Sequence, residues 1–161
     1  MIGRQLGSQA RWYRNALDGI TDEESKKRTD GVNTINWLAA HLLVIRYGLC
    51  KRLGYTGPEF PYVDLYADIT KPPPNARTFD NSVEYPSLET ILHYWDSVAE
   101  HLEGALQQLP DEALYSEAPR TPLGGNTLMD ALGFMVIHES YHLGQISLLR
   151  RALGHPPMRY F

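Results

Sequence analysis

Two histidines spaced four positions apart, His138 and His142, are the residues of this chain best suited to chemistry. The apolar pattern around them is helical, so this spacing places both imidazoles on one face of a helix. Two imidazole nitrogens that face the same point in space are common ligands for zinc and related divalent ions. The segment therefore predicts at least part of a metal site.

With Glu139 between them, the histidines also read His-Glu-x-x-His, the signature of zincin metalloproteases. Such enzymes need a third ligand downstream of the second histidine. The positions where metzincins carry Gly and His are Gln145 and Leu148 here, and no acidic residue follows Glu139. The one remaining downstream histidine, His155, lies in a Gly-Pro turn. A metalloprotease is therefore the most disfavoured alternative.

A third ligand is available upstream, because His41 lies on the flank of the apolar stripe of an earlier predicted helix, one turn after Trp37. A lone histidine in such a position is more often a hydrogen-bonded core residue than a ligand. Together with His138 and His142, however, it favours a three-imidazole site that bridges two helices. Three protein ligands leave one coordination position for water or substrate, as in sites that do chemistry.

Two polar residues on the last helix are candidates for catalytic roles. Gln145 lies within about 60° of His138 and His142 in helical projection, so it belongs to the same polar strip. Glu139 falls inside the apolar stripe, where a carboxylate is unusual. It either accepts a hydrogen bond from a ligand imidazole or from metal-bound water, as an orienting group or general base, or it pairs with a cationic residue of a neighbouring helix.

Four helical patterns must position these residues. Apolar residues recur at helical spacing and are bounded by capping and stop signals, which place the helices at about 6–20, 33–53, 87–109 and 127–153. The predicted N-caps are Asn33, Ser87 and Thr127, the last with Asp130 as a capping-box partner. No segment alternates convincingly as a strand. The predicted fold class is all-α, a four-helix bundle, with residues 1–161 as a single domain.

The connection between the second and third predicted helices, residues 54–86, is rich in proline and aromatic residues. Connections of this length tend to be functional or disordered, and the aromatic content favours one that packs on the domain. Two alternatives remain open, a lid over a pocket or a segment that only covers exposed core. The length also allows the second and third helices to run parallel.

Composition limits the partners and the compartment. The net charge of −4 and the scattered Lys and Arg residues disfavour nucleic acid as a partner. The single cysteine, Cys50, excludes an internal disulfide and fits a reducing compartment. No signal-peptide pattern and no apolar run near the roughly 20 residues of a membrane span is present, so we expect a cytoplasmic protein that does not bind membranes.

Three segments, taken in order, carry a resemblance to a known family. They are Asn33-Thr34-Ile35-Asn36-Trp37-Leu38-Ala39-Ala40-His41-Leu42, Tyr85-Pro86-Ser87-Leu88 and His138-Glu139-x-x-His142-x-Gly144-Gln145-Ile146-x-x-Leu149-Arg150-Arg151-x-Leu153-Gly154. In this order and spacing, which covers essentially the whole chain, they resemble the DinB-like superfamily, also called DinB/YfiT-like. The first and last segments are specific in combination, whereas each by itself is weak.

The resemblance implies a four-helix bundle with a divalent metal ion, often nickel or zinc, held by one histidine of the second helix and two of the fourth. Those positions map onto His41, His138 and His142. Relatives include thiol-dependent enzymes, such as mycothiol-dependent maleylpyruvate isomerase and bacillithiol transferases, and many are homodimers. We therefore expect a homodimer and, as a possible co-substrate, a low-molecular-weight thiol.

The three histidines and the resemblance support two hypotheses for the function. The first is a metal-dependent enzyme, a thiol-dependent S-transferase or isomerase or a hydrolase, that acts on a small molecule, with Trp37, Tyr141 and Gln145 lining the approach to the ion. Trp37 and Tyr141 are the predicted substrate-binding residues. The second hypothesis is a non-catalytic, metal-stabilised binding or stress-related protein, in which the ion only ties two helices together.

Overall fold

The computed structural model describes residues 1–29, 31–68 and 75–160, and within them the chain is all-α apart from one pair of two-residue strands. The elements in order are α1 (Ile2–Leu17), α2 (Asp22–Ser25), α3 (Ile35–Arg52), α4 (Val63–Tyr66), β1 (Ala67–Asp68), β2 (Asn75–Ala76), α5 (Leu88–Gln108), a 3₁₀ helix (Asp111–Tyr115) and α6 (Leu128–Ala152). The long helices α1, α3, α5 and α6 confirm the predicted bundle. None of the described helices combines the length and the hydropathy needed to cross a bilayer.

The short strands are an element that the sequence did not predict. β1 and β2 pair antiparallel within the long connection. Two residues are too few to show the alternation of apolar and polar side chains by which strands are recognised. Residues 69–74 of the connection, which include its run of three prolines, lie outside the described residues.

Side-chain caps mark where α3, α5 and α6 begin. Ser87 and Thr127 are the N-caps of α5 and α6, as predicted, and Thr127 forms a reciprocal capping box with Asp130. The N-cap of α3 is Thr34 rather than the predicted Asn33, because the Thr34 hydroxyl accepts the backbone N–H three residues on, at 3.1 Å. Both residue types cap helices well, so the sequence located this terminus only to within one residue.

Contacts between α3 and α5 show that these two helices run parallel, as their long connection allowed. Near their beginnings, the Asn36 side-chain amide donates to the Pro86 carbonyl at 2.9 Å. Further along both helices, the Cys50 thiol donates to the Val98 carbonyl at 3.4 Å. The connection of residues 54–86 therefore carries the chain from one end of the bundle back to the other.

Helix α3 lies at the centre of the bundle, against both α5 and α6. The predicted stripe is only part of its buried surface, since Trp37, Ala39, Ala40, Leu43 and Val44 are buried as well. The long connection adds to this core through aromatic side chains that are all buried, namely Tyr55, Phe60, Tyr66 and Tyr85. The described part of the connection thus packs on the core, and its second role, as a lid over a pocket, stays a prediction.

Candidate metal centre

Three histidines converge between α3 and α6. His41 lies in the middle of α3, and His138 and His142 lie one turn apart on α6. One ring nitrogen from each residue lies within 4.8 Å of the others, and the Nε2 atoms of His41 and His138 are 3.1 Å apart. The structure therefore brings together all three predicted ligands, and these residues could hold a metal ion.

The spacing of the nitrogens suits a tetrahedral ion. Zinc–imidazole bonds of about 2.0–2.1 Å at tetrahedral angles separate two ligand nitrogens by about 3.3 Å. The Nε2 atoms of His41 and His138 are already near this separation. The ligand nitrogen of His142 lies within 4.8 Å of both.

The histidines are held in the neutral form that metal coordination requires. Burial, together with the charges that His138 and His142 would carry, lowers the pKa of His41 to about 3. Burial and His142 lower the pKa of His138 to about 4, and burial lowers the pKa of His142. At neutral pH each ring therefore offers an unprotonated nitrogen, so an ion need not displace protons to bind.

Hydrogen bonds satisfy only part of this cluster. At 3.1 Å two neutral imidazoles share a single hydrogen bond, in which one Nε2 donates and the other accepts. The Nδ1 atoms of His41 and His138 are buried and have no hydrogen-bond partner among the described residues. Buried polar atoms are normally paired, because an unpaired one costs about 1–3 kcal/mol. The donor set thus fits an ion at the Nε2 atoms, whereas the Nδ1 atoms of His41 and His138 stay available as partners for other polar groups.

Gln145 orients one of the ligands. Its Oε1 lies 2.6 Å from Nδ1 of His142, one turn earlier on α6, and accepts a hydrogen bond from that nitrogen. The proton is thereby fixed on Nδ1, and Nε2 of His142 keeps its lone pair for a metal ion. The structure thus places Gln145, which the sequence suggested as a catalytic residue, in contact with His142, and its catalytic role stays a prediction.

Glu139 belongs to an ion pair with Arg46 of α3. The guanidinium donates from Nε and Nη2 to the two carboxylate oxygens, at 2.7 and 2.6 Å, and both side chains are about 1% exposed. Burial raises the pKa of Glu139, and the charge and hydrogen bonds of Arg46 oppose that rise. Of the two alternatives for Glu139, pairing with a cation of a neighbouring helix is the arrangement present. No described contact supports a role as base or as a partner of the ligands.

Each ligand histidine contacts an aromatic ring. The predicted substrate-binding residue Trp37 stacks on His41 at a centroid distance of 5.0 Å, and Tyr141 meets the edge of His142 at 5.1 Å. Phe134, which the sequence analysis missed, lies 5.3 Å from His138 one turn before it. Trp37 is buried, whereas Tyr141 is 64% exposed. The site therefore has an enclosed side at α3 and a solvent-facing side at α6.

Three clefts of the described part of the chain lie away from the histidines. They have volumes of about 470, 410 and 480 Å³. Their linings include none of the three histidines, so these clefts are separate from the residues that offer chemistry.

Comparison with known proteins agrees with the fold. A DinB-like protein from Bacillus cereus ATCC 10987 superposes with a TM-score of 0.67 at 20% identity, over 99% of this chain and 95% of that one. A conserved protein from Enterococcus faecalis superposes with a TM-score of 0.65 at 14% identity, over 93% of each chain. No curated protein matches the chain. The family model of the DinB superfamily matches residues 5–146, so this chain belongs to the DinB superfamily.

Proposed function

We propose that this chain is a metal-dependent enzyme in which His41, His138 and His142 hold one divalent ion, zinc or nickel. The observation that carries the proposal is the convergence of three imidazole nitrogens from two helices to within 4.8 Å of one another. Neutral imidazoles suit both ions. The lowered pKa values of these histidines and the hydrogen bond from His142 to Gln145 support the same assignment.

The proposed reaction is a thiol-dependent S-transfer or isomerisation, or a hydrolysis, on a small molecule. A divalent ion with three protein ligands keeps a position for a nucleophile, lowers the pKa of bound water towards about 7 and favours a thiol in its thiolate form. The protein would hold the ion through the histidines and orient His142 through Gln145. Tyr141 and Trp37 would flank the bound small molecule.

Thiol binding tests this proposal directly. Cobalt-substituted protein is titrated with 2-mercaptoethanol, and the near-ultraviolet spectrum is followed for a sulfur-to-metal charge-transfer band. We expect a saturable band in the wild type and none in His138→Ala. A spectrum that does not change, although cobalt is bound, would contradict thiol chemistry and leave hydrolysis as the proposed reaction.

A second candidate is the non-catalytic, metal-stabilised binding or stress-related protein. Two observations favour it: the three histidines connect α3 to α6, and none of the three clefts described above is lined by them. Removal of the metal separates the candidates, because a structural ion is part of the folding free energy. Unfolding on chelation supports the structural role. A metal-free bundle that stays folded and rebinds the ion supports the enzyme.

The remaining proposals concern assembly and location. We propose a homodimer, and the exposed side chains of Ile137, Tyr141 and Leu148 on one face of α6 are consistent with such an interface. Light scattering coupled to size exclusion measures the assembly, and a monomer at micromolar concentration would contradict it. A cytoplasmic location and the absence of nucleic-acid and membrane partners stay predictions from composition.

A further inference from the structure

Buried polar atoms without a partner are concentrated around the metal centre. Within the described residues seven buried side-chain nitrogen or oxygen atoms lack a hydrogen-bond partner. Four of them belong to His41, to His138, to Trp37, which stacks on His41, and to Tyr66, whose ring lies near Trp37: His41 Nδ1, His138 Nδ1, Trp37 Nε1 and Tyr66 OH. Native proteins leave few such atoms, so this concentration indicates a polar group that binds here.

Two of these atoms are hydrogen-bond donors, one on Trp37 beside His41 and one on Tyr66 beside Trp37. The Trp37 ring lies parallel to the His41 imidazole, and the Tyr66 ring lies 6.2 Å from Trp37. The two side chains are 3% and 0% exposed. An indole N–H can only donate. Burial raises the pKa of Tyr66, so its hydroxyl also stays protonated and can donate.

The charge of the site favours an anionic ligand. Three neutral imidazoles would leave the full double positive charge of a divalent ion uncompensated. Glu139 is the one buried carboxylate of the described residues, and Arg46 already neutralises it. An anionic ligand would offset this charge, and a carboxylate has oxygen lone pairs for both donors.

We propose that the substrate carries a carboxylate, and that the Trp37 Nε1–H and the Tyr66 hydroxyl donate hydrogen bonds to it beside the metal ion. The proposal rests on the proposed function, because it places the carboxylate next to a bound ion. The proposal adds Tyr66 to the substrate-binding residues. It also gives Trp37 a role as a hydrogen-bond donor, besides that of an aromatic side chain that flanks the substrate. A substrate without the carboxylate would leave both donors unpaired.

Acetate binding to cobalt-substituted protein tests this inference. Changes in the visible absorption of the cobalt ion measure the affinity for acetate in the wild type, in Tyr66→Phe and in Trp37→Phe. We expect each variant to bind acetate about tenfold more weakly, since each loses one hydrogen bond to a charged group. Tyr66→Phe is the sharper variant, because it removes a single oxygen atom and keeps the ring in the core. Equal acetate affinity in the wild type and both variants would overturn the proposal.

Tyr85→Phe is the matched control. The Tyr85 ring lies 5.5 Å from Tyr66, but its hydroxyl already accepts the Asp80 backbone N–H at 3.0 Å. This variant should bind acetate as the wild type does, and a loss equal to that of Tyr66→Phe would overturn the specific role of Tyr66. Neutral acetamide should bind at least tenfold more weakly than acetate. Equal affinities for the two molecules would overturn the proposal that the site binds a carboxylate.

Cobalt uptake, measured first, separates this inference from the proposed function. Failure of the wild type to bind cobalt contradicts the metal site itself and removes the basis of the inference. Normal cobalt uptake in Tyr66→Phe, combined with unchanged acetate affinity, contradicts only the carboxylate site.

Discussion

The guanidinium of Arg46 on α3 donates hydrogen bonds of 2.7 and 2.6 Å to the two carboxylate oxygens of Glu139 on α6. Arg46 also donates to the Leu6 carbonyl and lies over the Trp95 ring, 4.5 Å from its centroid. The pair joins the two helices that carry the histidines, and Glu139 directly follows the ligand His138. It therefore joins α3 and α6 next to His138, one of the three histidines that could hold a metal ion.

Removal of one member of this pair should strongly destabilise the protein. Glu139→Gln leaves the Arg46 charge buried without its counter-ion, so we expect the free energy of unfolding to fall by about 3–5 kcal/mol. Urea denaturation measures it. The double variant Arg46→Met/Glu139→Leu should recover much of the loss, because it leaves no buried charge. A loss below about 1 kcal/mol in Glu139→Gln would show that the pair does not hold the helices.

The hydrogen bond between His142 and Gln145 should contribute to metal affinity. Gln145→Leu keeps the approximate size of the side chain but removes the acceptor that fixes the proton on Nδ1 of His142. We expect the dissociation constant for the ion to rise about 10- to 100-fold, as for other partners of ligand histidines. Isothermal titration calorimetry measures it. Gln107→Leu, on the exposed surface of α5, is the matched control. Equal affinities of both variants would contradict the positioning role.

Much of the site could be predicted because helical periodicity is a local property. The spacing of His138 and His142 and the step from Trp37 to His41 follow from 3.6 residues per turn. Pairing of Glu139 with a cation was one of two predicted alternatives, but its partner Arg46 could not be identified, because it lies 93 residues away and many Arg and Lys residues were available. Tyr66 could not be predicted for another reason. It lies in a connection without helical periodicity, and only tertiary packing brings it near Trp37.

The metal-free protein should lose stability as the pH falls below about 6.5. The unfolded chain titrates its histidines near 6.5, whereas the folded-state pKa values of His41 and His138 are about 3 and about 4. Between these values the unfolded state binds more protons, so unfolding becomes easier by up to about 1.4 kcal/mol per pH unit for each group. Urea denaturation in chelator at pH 5 to 7 measures this slope. His41→Gln should show a smaller slope, and a wild-type slope no steeper than that of the variant would contradict the buried neutral state.

Cys50 should be inert in the folded protein. Its thiol is fully buried and donates to the Val98 carbonyl, and burial raises its pKa to about 12. Because the thiolate is the reactive form, iodoacetamide at pH 8 should leave native protein unmodified and alkylate it fully in urea. Mass spectrometry counts the added groups. Alkylation of the native protein at the rate seen in urea would contradict the burial of this residue.

The central claim, that histidines from two helices hold one ion, is tested most directly by the metal content of protein purified without an affinity tag. Elemental analysis should find about one divalent ion per chain in the wild type. His41→Ala should retain less than about a tenth of that amount, because two ligands on α6 cannot hold the ion without the third from α3. No divalent ion in the wild type, or an unchanged amount in His41→Ala, would contradict the three-histidine site.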